Sequence, residues 1–220
     1  MSDPVRAMVE RGRKKLVVAV AFDWPGWDRS AKTEDDALAV LERCRPRYAR
    51  VAARSGLGTE LADAGGFEVV ERVDGIGMTD YYGLSGRIAT AERGQMTAAE
   101  CDRKIALLEA AWATLDDAAA RVSPELRKGP RGGGRERDQI VRHVNGTEIH
   151  EYGQKVGVRV PLETRDDPDA LRAFRAALVA GMRDANAKGA AAGQFWTVQF
   201  LIRAAPGTCS ITLGSSRTGI

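Results

Sequence analysis

The chain has 220 residues, 44% of them hydrophobic, with 33 Lys+Arg against 30 Asp+Glu and a formal net charge of +3. That length builds one large or two small domains, and that apolar fraction excludes disorder by composition. The near balance of charge argues against a nucleic-acid partner. No apolar run approaches the ~20 residues of a bilayer span, and residues 1–15 are polar and charged, with no signal-peptide core. The cysteines, Cys44, Cys101 and Cys209, are scattered and form no CxxC pair. That pattern points away from a disulfide framework or a zinc knuckle and toward a reducing cytoplasm.

In chain order, Leu16 to Phe22 is a short apolar, β-branched run that reads as a buried strand. Asp23-Trp24-Pro25-Gly26-Trp27 reads as a type II turn, with φ preset by Pro25 and a positive φ supplied by Gly26. Trp27 to Lys32 returns as an antiparallel strand. Thr33 is an N-cap followed by Glu34, Asp35 and Asp36 in the first turn. Ala37, Leu38, Leu41, Cys44, Tyr48, Val51 and Ala52 trace a helical stripe that Pro46 should split. Residues 56–66 read as a linker or a frayed helix, Phe67 to Val73 as a strand, and Tyr81 to Leu84 as a further strand. The polar tract Ala89 to Gln95 is the expected boundary between two halves.

The second half is helical. Thr97 and Glu100 form a capping box, and the helix they open carries Ile105, Leu108, Trp112 and Leu115. Arg127 to Arg135 is basic and glycine-rich. It is either an anion cradle at a helix N-terminus or a solvated loop, and it lacks the Gly-Lys-Ser/Thr ending of a Walker loop. The next helix holds both histidines. Ile140, His143, Val144, Thr147 and Glu151 fall on one face, so His143 is expected to point into a cleft between helices, as a core residue or a ligand. Asp166 to Asp169 opens a third helix faced by Leu171, Phe174, Leu178, Val179 and Met182. A fourth begins near Gln194 and includes Trp196, Val198, Phe200, Leu201 and Ile202. Trp112, Leu115, Ile140, Val144, Phe174, Leu178 and Leu201 are the expected bundle core.

Two resemblances follow. Phe22 to Gly26 and Thr33 to Leu41 resemble the strand, Pro-Gly turn, strand and acidic-capped helix of the HicB-like antitoxin fold, without the DNA-binding segment usual there. That likeness implies a binding module, with a protein partner reached through residues 1–90. Residues 97–205 resemble the DinB/YfiT-like four-helix bundles, many of which hold a divalent metal with three histidines: one on the second helix and an HxxxH pair on the last. His143 matches the first ligand, whereas His150 is off the family's position. The resemblance implies metal-dependent, thiol-linked transfer or isomerisation. In that chemistry the metal would lower a thiol's pKa. The HxxxH pair is missing, and one imidazole does not hold a divalent cation tightly, so no cofactor is expected in this chain as it stands.

The fold expected is therefore α+β: a small β-hairpin/helix domain, a four-helix bundle, and an irregular tail at 206–220. Pro206 and Gly207 should end the fourth helix within a few residues of Arg203. Read in a shifted frame with GC-rich wobble bases, the codons from Pro206 onward give W-H-V-L-D-H-A-W-E-L-E-D-R. That string is amphipathic and restores HxxxH, so the tail reads either as an ordinary disordered terminus or, the sharper expectation, as a frameshift product.

Overall fold

The computed structural model describes residues 2–121, 137–189 and 196–212. The fold is α+β. Four strands, β1 (Val5–Arg11), β2 (Val17–Val20), β3 (Asp28–Ala31) and β4 (Phe67–Asp74), form one sheet in the order β3-β2-β1-β4. β1 runs antiparallel to β2 and parallel to β4, and β2 runs antiparallel to β3. The helices are α1 (Glu34–Arg43), α2 (Arg45–Arg54), α3 (Gly58–Asp63), α4 (Gly77–Tyr82), α5 (Ala98–Arg121), α6 (Arg137–Thr147), α7 (Pro168–Ala187) and α8 (Val198–Thr212).

β1 is an inner strand hidden in the polar, charged start of the chain. It lies between β2 and β4 and is covered on both faces, so its side chains do not alternate between core and solvent. Val5, Ala7, Met8 and Val9 are buried, and so is Glu10. Arg6, Glu10 and Arg11 interrupt the apolar run that would have marked it. One sheet face meets α1, α2 and α3 through Ala19, Ala21, Trp27, Ala37, Leu41 and Tyr48. The other, with Met8, Val18, Val20 and Phe22, is capped by Ala89. Trp27 stacks on Tyr48 at 5.0 Å and donates from Nε1 to the Leu41 carbonyl at 3.0 Å. Such a pair contributes roughly 0.5–1.5 kcal/mol beyond its buried area.

The hairpin turn forms as its residues dictate: Trp27 N–H donates to the Trp24 carbonyl, and Gly26 has φ +82°. Thr33 caps α1 by accepting from Asp36 N–H at 3.1 Å, and α1 and α2 part at Cys44, just before Pro46. Residues 77–82 form a helix, not the strand expected at Tyr81 to Leu84. Thr79 Oγ1 accepts from Ile76 N–H at 3.0 Å and so satisfies a first-turn donor. Gly83 then closes the helix at φ +65°.

In the second half, α5 through α8 pack around one core containing Trp112, Leu115, Val144, Phe174, Leu178 and Leu201. Ile140 is also buried but lies outside that cluster. Thr97 and Glu100 make the capping box, and Asp167 caps α7. After Thr147 the helix loosens into a π-type turn, residues 148–152, and then a 3-10 turn, residues 153–156.

The fourth helix does not stop near Arg203. α8 continues to Thr212 with Pro206 inside it, so residues 206–212 of the expected tail are helical. Proline removes one ladder bond, but its ring is buried beside Gly26 and shares a small cavity of ≈ 80 Å³ with Tyr48 and Leu115. The basic stretch 127–135 and residues 213–220 lie outside the described residues. No helix among the described residues is long and apolar enough to cross a membrane.

Gly26→Ala tests this packing. The new Cβ would sit 2.9 Å from Pro206 Cβ, on a backbone conformation that L side chains disfavour. We expect a loss of about 2 kcal/mol or more in urea unfolding. An unchanged midpoint would show that the turn and α8 do not meet there.

Candidate functional site

α5 carries a lysine on its apolar stripe. Cys101, Ile105, Leu107 and Leu108 are buried there, and Lys104 is buried among them. Its Nζ donates to Gln199 Oε1 of α8 at 3.0 Å and to the Phe22 carbonyl at 3.3 Å, with Asp23 Oδ1 at 3.8 Å. Burial pushes its pKa down, and the nearby Asp23 and Glu92 offset part of that effect. Lys104, buried, lines a cleft of about 1040 Å³ formed where the sheet, α3, α5 and α8 meet.

The cleft wall carries both signs of charge, the cations Arg6, Arg103 and Lys104 among several carboxylates. Arg6 forms a two-point ion pair with Asp23, at 2.8 and 2.9 Å. Arg103 lies 4.6 Å from the centre of the buried Trp24 ring, donates to the Asp23 carbonyl and pairs with Glu60. Asp3, Asp63 and Glu68 add further carboxylates. Lys104 was legible in principle: it falls i+3 from Cys101 and i−4 from Leu108, positions that face a core.

Behind the cleft runs a buried polar seam. Glu10 on β1 accepts from Thr79 Oγ1, from Ser85 Oγ at 2.9 Å, and from the N–H groups of Gly86 and Arg87 at 3.1 Å each. Arg203 on α8 donates to both Glu92 oxygens at 2.6 and 3.1 Å, to Ser85 Oγ at 3.2 Å and to the Arg87 carbonyl at 2.7 Å. The tract expected as a boundary is thus packed: Ala89 and Glu92 are wholly buried. Asp28 on β3 is also buried, and its Oδ1 has no hydrogen-bond partner among the described residues. Burial raises its pKa, against the lowering pull of Arg29 and Arg203.

His143 does not face the core. Both His143 and His150 are exposed. The buried side of α6 and the π-type turn is Ile140, Val144, Asn145, Glu148, Ile149 and Tyr152, so the stripe is rotated by about one residue from the expected one. Polar partners draw it round. Glu148 accepts from Trp112 Nε1 at 2.7 Å and from Arg175 Nε at 3.1 Å. Arg175 also reaches Asn145 and Asp116. No group of three His, Cys, Asp or Glu side chains able to share a metal occurs among the described residues. Nothing matches this chain among protein-family models, curated proteins or solved structures.

Asp28 yields a pH signature. Its native pKa is raised above the usual 3.8, so the native state holds the proton more tightly than the unfolded chain. Stability contributed by this group is present in acid and lost as pH rises from about 3.8 through the raised value. Asp28→Asn should therefore be more stable than the parent at pH 7, with the gap closing toward pH 4, in urea titrations at both pH values. A less stable variant at pH 7 would mean that Arg203 and Arg29 over-compensate the anion.

Proposed function

We propose that this chain is a binding module whose cleft takes a small zwitterion, an amino acid or a short peptide. The observation that carries this reading is the mixture of charge in the cleft wall: Lys104, buried, with Arg6 and Arg103, beside the carboxylates of Asp3, Asp63 and Glu68. A ligand carboxylate would approach Lys104 and Arg103, and its ammonium Asp63 and Glu68. Such a site, concave and with a few convergent polar groups around a lysine of perturbed pKa, is where binding is expected first. A protein partner meeting the HicB-like half through a peptide segment is one form of the same reading.

The second reading is the metal-dependent, thiol-linked transfer that the DinB-like resemblance implies. What favours it is the succession of four helices around one core. The donor set of the described residues does not fit: His143 is exposed, and no group of three His, Cys, Asp or Glu side chains able to share a metal occurs among them. This reading therefore needs the HxxxH pair of the shifted frame. The bases downstream of the Arg203 codon test it directly. If they encode no HxxxH in that frame, the reading fails. If they do, a frame-restored chain should co-purify with about one divalent ion per chain.

Thermal unfolding with a panel of amino acids and di- and tripeptides tests the binding reading. Unblocked ligands should raise the melting temperature in proportion to the logarithm of their concentration, because they bind only the folded chain. Acetylation of the amine or amidation of the carboxylate should remove most of the effect. Lys104→Gln should weaken binding at least tenfold. Equal stabilisation by the doubly blocked forms, or none by any member of the panel, would overturn the proposal.

A further inference from the structure

We propose that the turn between β1 and β2, together with α4, forms a docking platform for single-stranded nucleic acid. The site is separate from the cleft. The turn carries three consecutive exposed cations, Arg13, Lys14 and Lys15. Beside it, α4 presents Met78, Tyr81 and Tyr82, with both tyrosines 72% exposed. Only four large hydrophobic side chains stand so exposed among the described residues, and three of them lie in this one turn of helix. Their spacing, i, i+3 and i+4, puts them on one side of α4.

Cations and aromatics are held together by Asp80. Its carboxylate accepts from the backbone N–H groups of Arg13 at 3.0 Å and Lys14 at 2.9 Å, which ties the turn to the helix. Those N–H groups, with that of Lys15, hold its pKa below the usual carboxylate value. The negative charge is thereby committed to the backbone, and the three side-chain cations face outward. Gly12 permits this approach, since a Cβ there would collide with the Asp80 carboxylate and the Leu16 carbonyl. Lys14 Nζ sits 5.3 Å from the centre of the Tyr81 ring. The platform is anchored from below: Thr79, the residue before Asp80, donates to buried Glu10.

Stacking rings flanked by cations match one polyanion above others. Unpaired bases stack on aromatic faces whatever their sequence, and the phosphates between them seek Lys and Arg. A duplex would offer only phosphates, because its bases are already stacked. The near-neutral net charge of the chain, which argued against a nucleic-acid partner, averages away this local concentration of positive charge.

The test is fluorescence anisotropy with a fluorescein-labelled 15-nucleotide oligothymidine, an abasic strand of the same length, and a duplex. The parent should bind oligothymidine in low salt, with affinity falling as salt rises. Tyr81→Ala and Tyr82→Ala should each weaken it roughly tenfold while leaving the salt slope unchanged. Lys14→Ala and Lys15→Ala should each lower that slope by about 0.7. The abasic strand should bind weakly and be indifferent to the tyrosines. All four positions are exposed, so the variants should keep the parent's melting temperature. Absence of binding in low salt would overturn the proposal. So would equal affinity for the abasic strand with no effect of either tyrosine, which would mark a site for polyanions in general.

Discussion

The ion pair between Arg203 and Glu92 is the constraint on which the arrangement of the two halves depends. Both side chains are almost wholly buried. Taking two such ions out of water costs several kcal/mol each, and their attraction repays this only if the remaining donors and acceptors are met. They are met here: Arg203 also reaches Ser85 and the Arg87 carbonyl, and Glu92 also accepts from the Ala89 N–H. The pair therefore contributes little net stability but a great deal of specificity. Any other placement of α8 against residues 85–92 strands a buried charge.

From that seam the other polar contacts follow. Ser85 relays between Arg203 and Glu10, so a charge on the last described helix is linked through one hydroxyl to the inner strand of the sheet. One turn before Arg203, Gln199 accepts from Lys104 and donates to the Gly94 carbonyl at 2.9 Å. The lysine is thus held where the cleft needs it by the same helix that closes the seam. A second polar cluster, Glu148 with Arg175 and Trp112, performs the equivalent task among α5, α6 and α7 and sets the rotation of α6.

What the sequence made legible were the elements with local signals. The Pro25-Gly26 turn, the Thr33 cap, the Thr97–Glu100 box and the apolar stripes of α5 and α7 depend on neighbours within a few residues, and all form as read. Elements decided by distant partners were not legible. β1 contains Arg6, Glu10 and Arg11, and it becomes a strand only because β2 and β4 flank it and Glu10 finds four donors. α4 has the aromatic residues of a strand, yet Thr79 and Gly83 give it a helix start and stop. His143 was placed on the core face by periodicity, but Arg175, in contact from α7, turns Asn145 and Glu148 inward instead. The cleft was not legible for the same reason: periodicity sets Lys104 on the inner face of α5, but nothing local places Gln199 and the Phe22 carbonyl beside it.

The position of Arg203 has a consequence for how the chain matures. The parallel pairing of β1 with β4 joins segments more than fifty residues apart, so the first strand synthesised waits for the fourth before it is enclosed. Closing such long loops is slow compared with forming the β2–β3 hairpin or a single helix. Even then Glu92 has no cation until α8 arrives, more than a hundred residues later. A nascent chain must therefore keep the segment around Ser85 and Glu92 hydrated until that helix docks. Burial of that segment is a late, single event, coupled to the docking of one helix, and until it happens this is the surface that a chaperone would find.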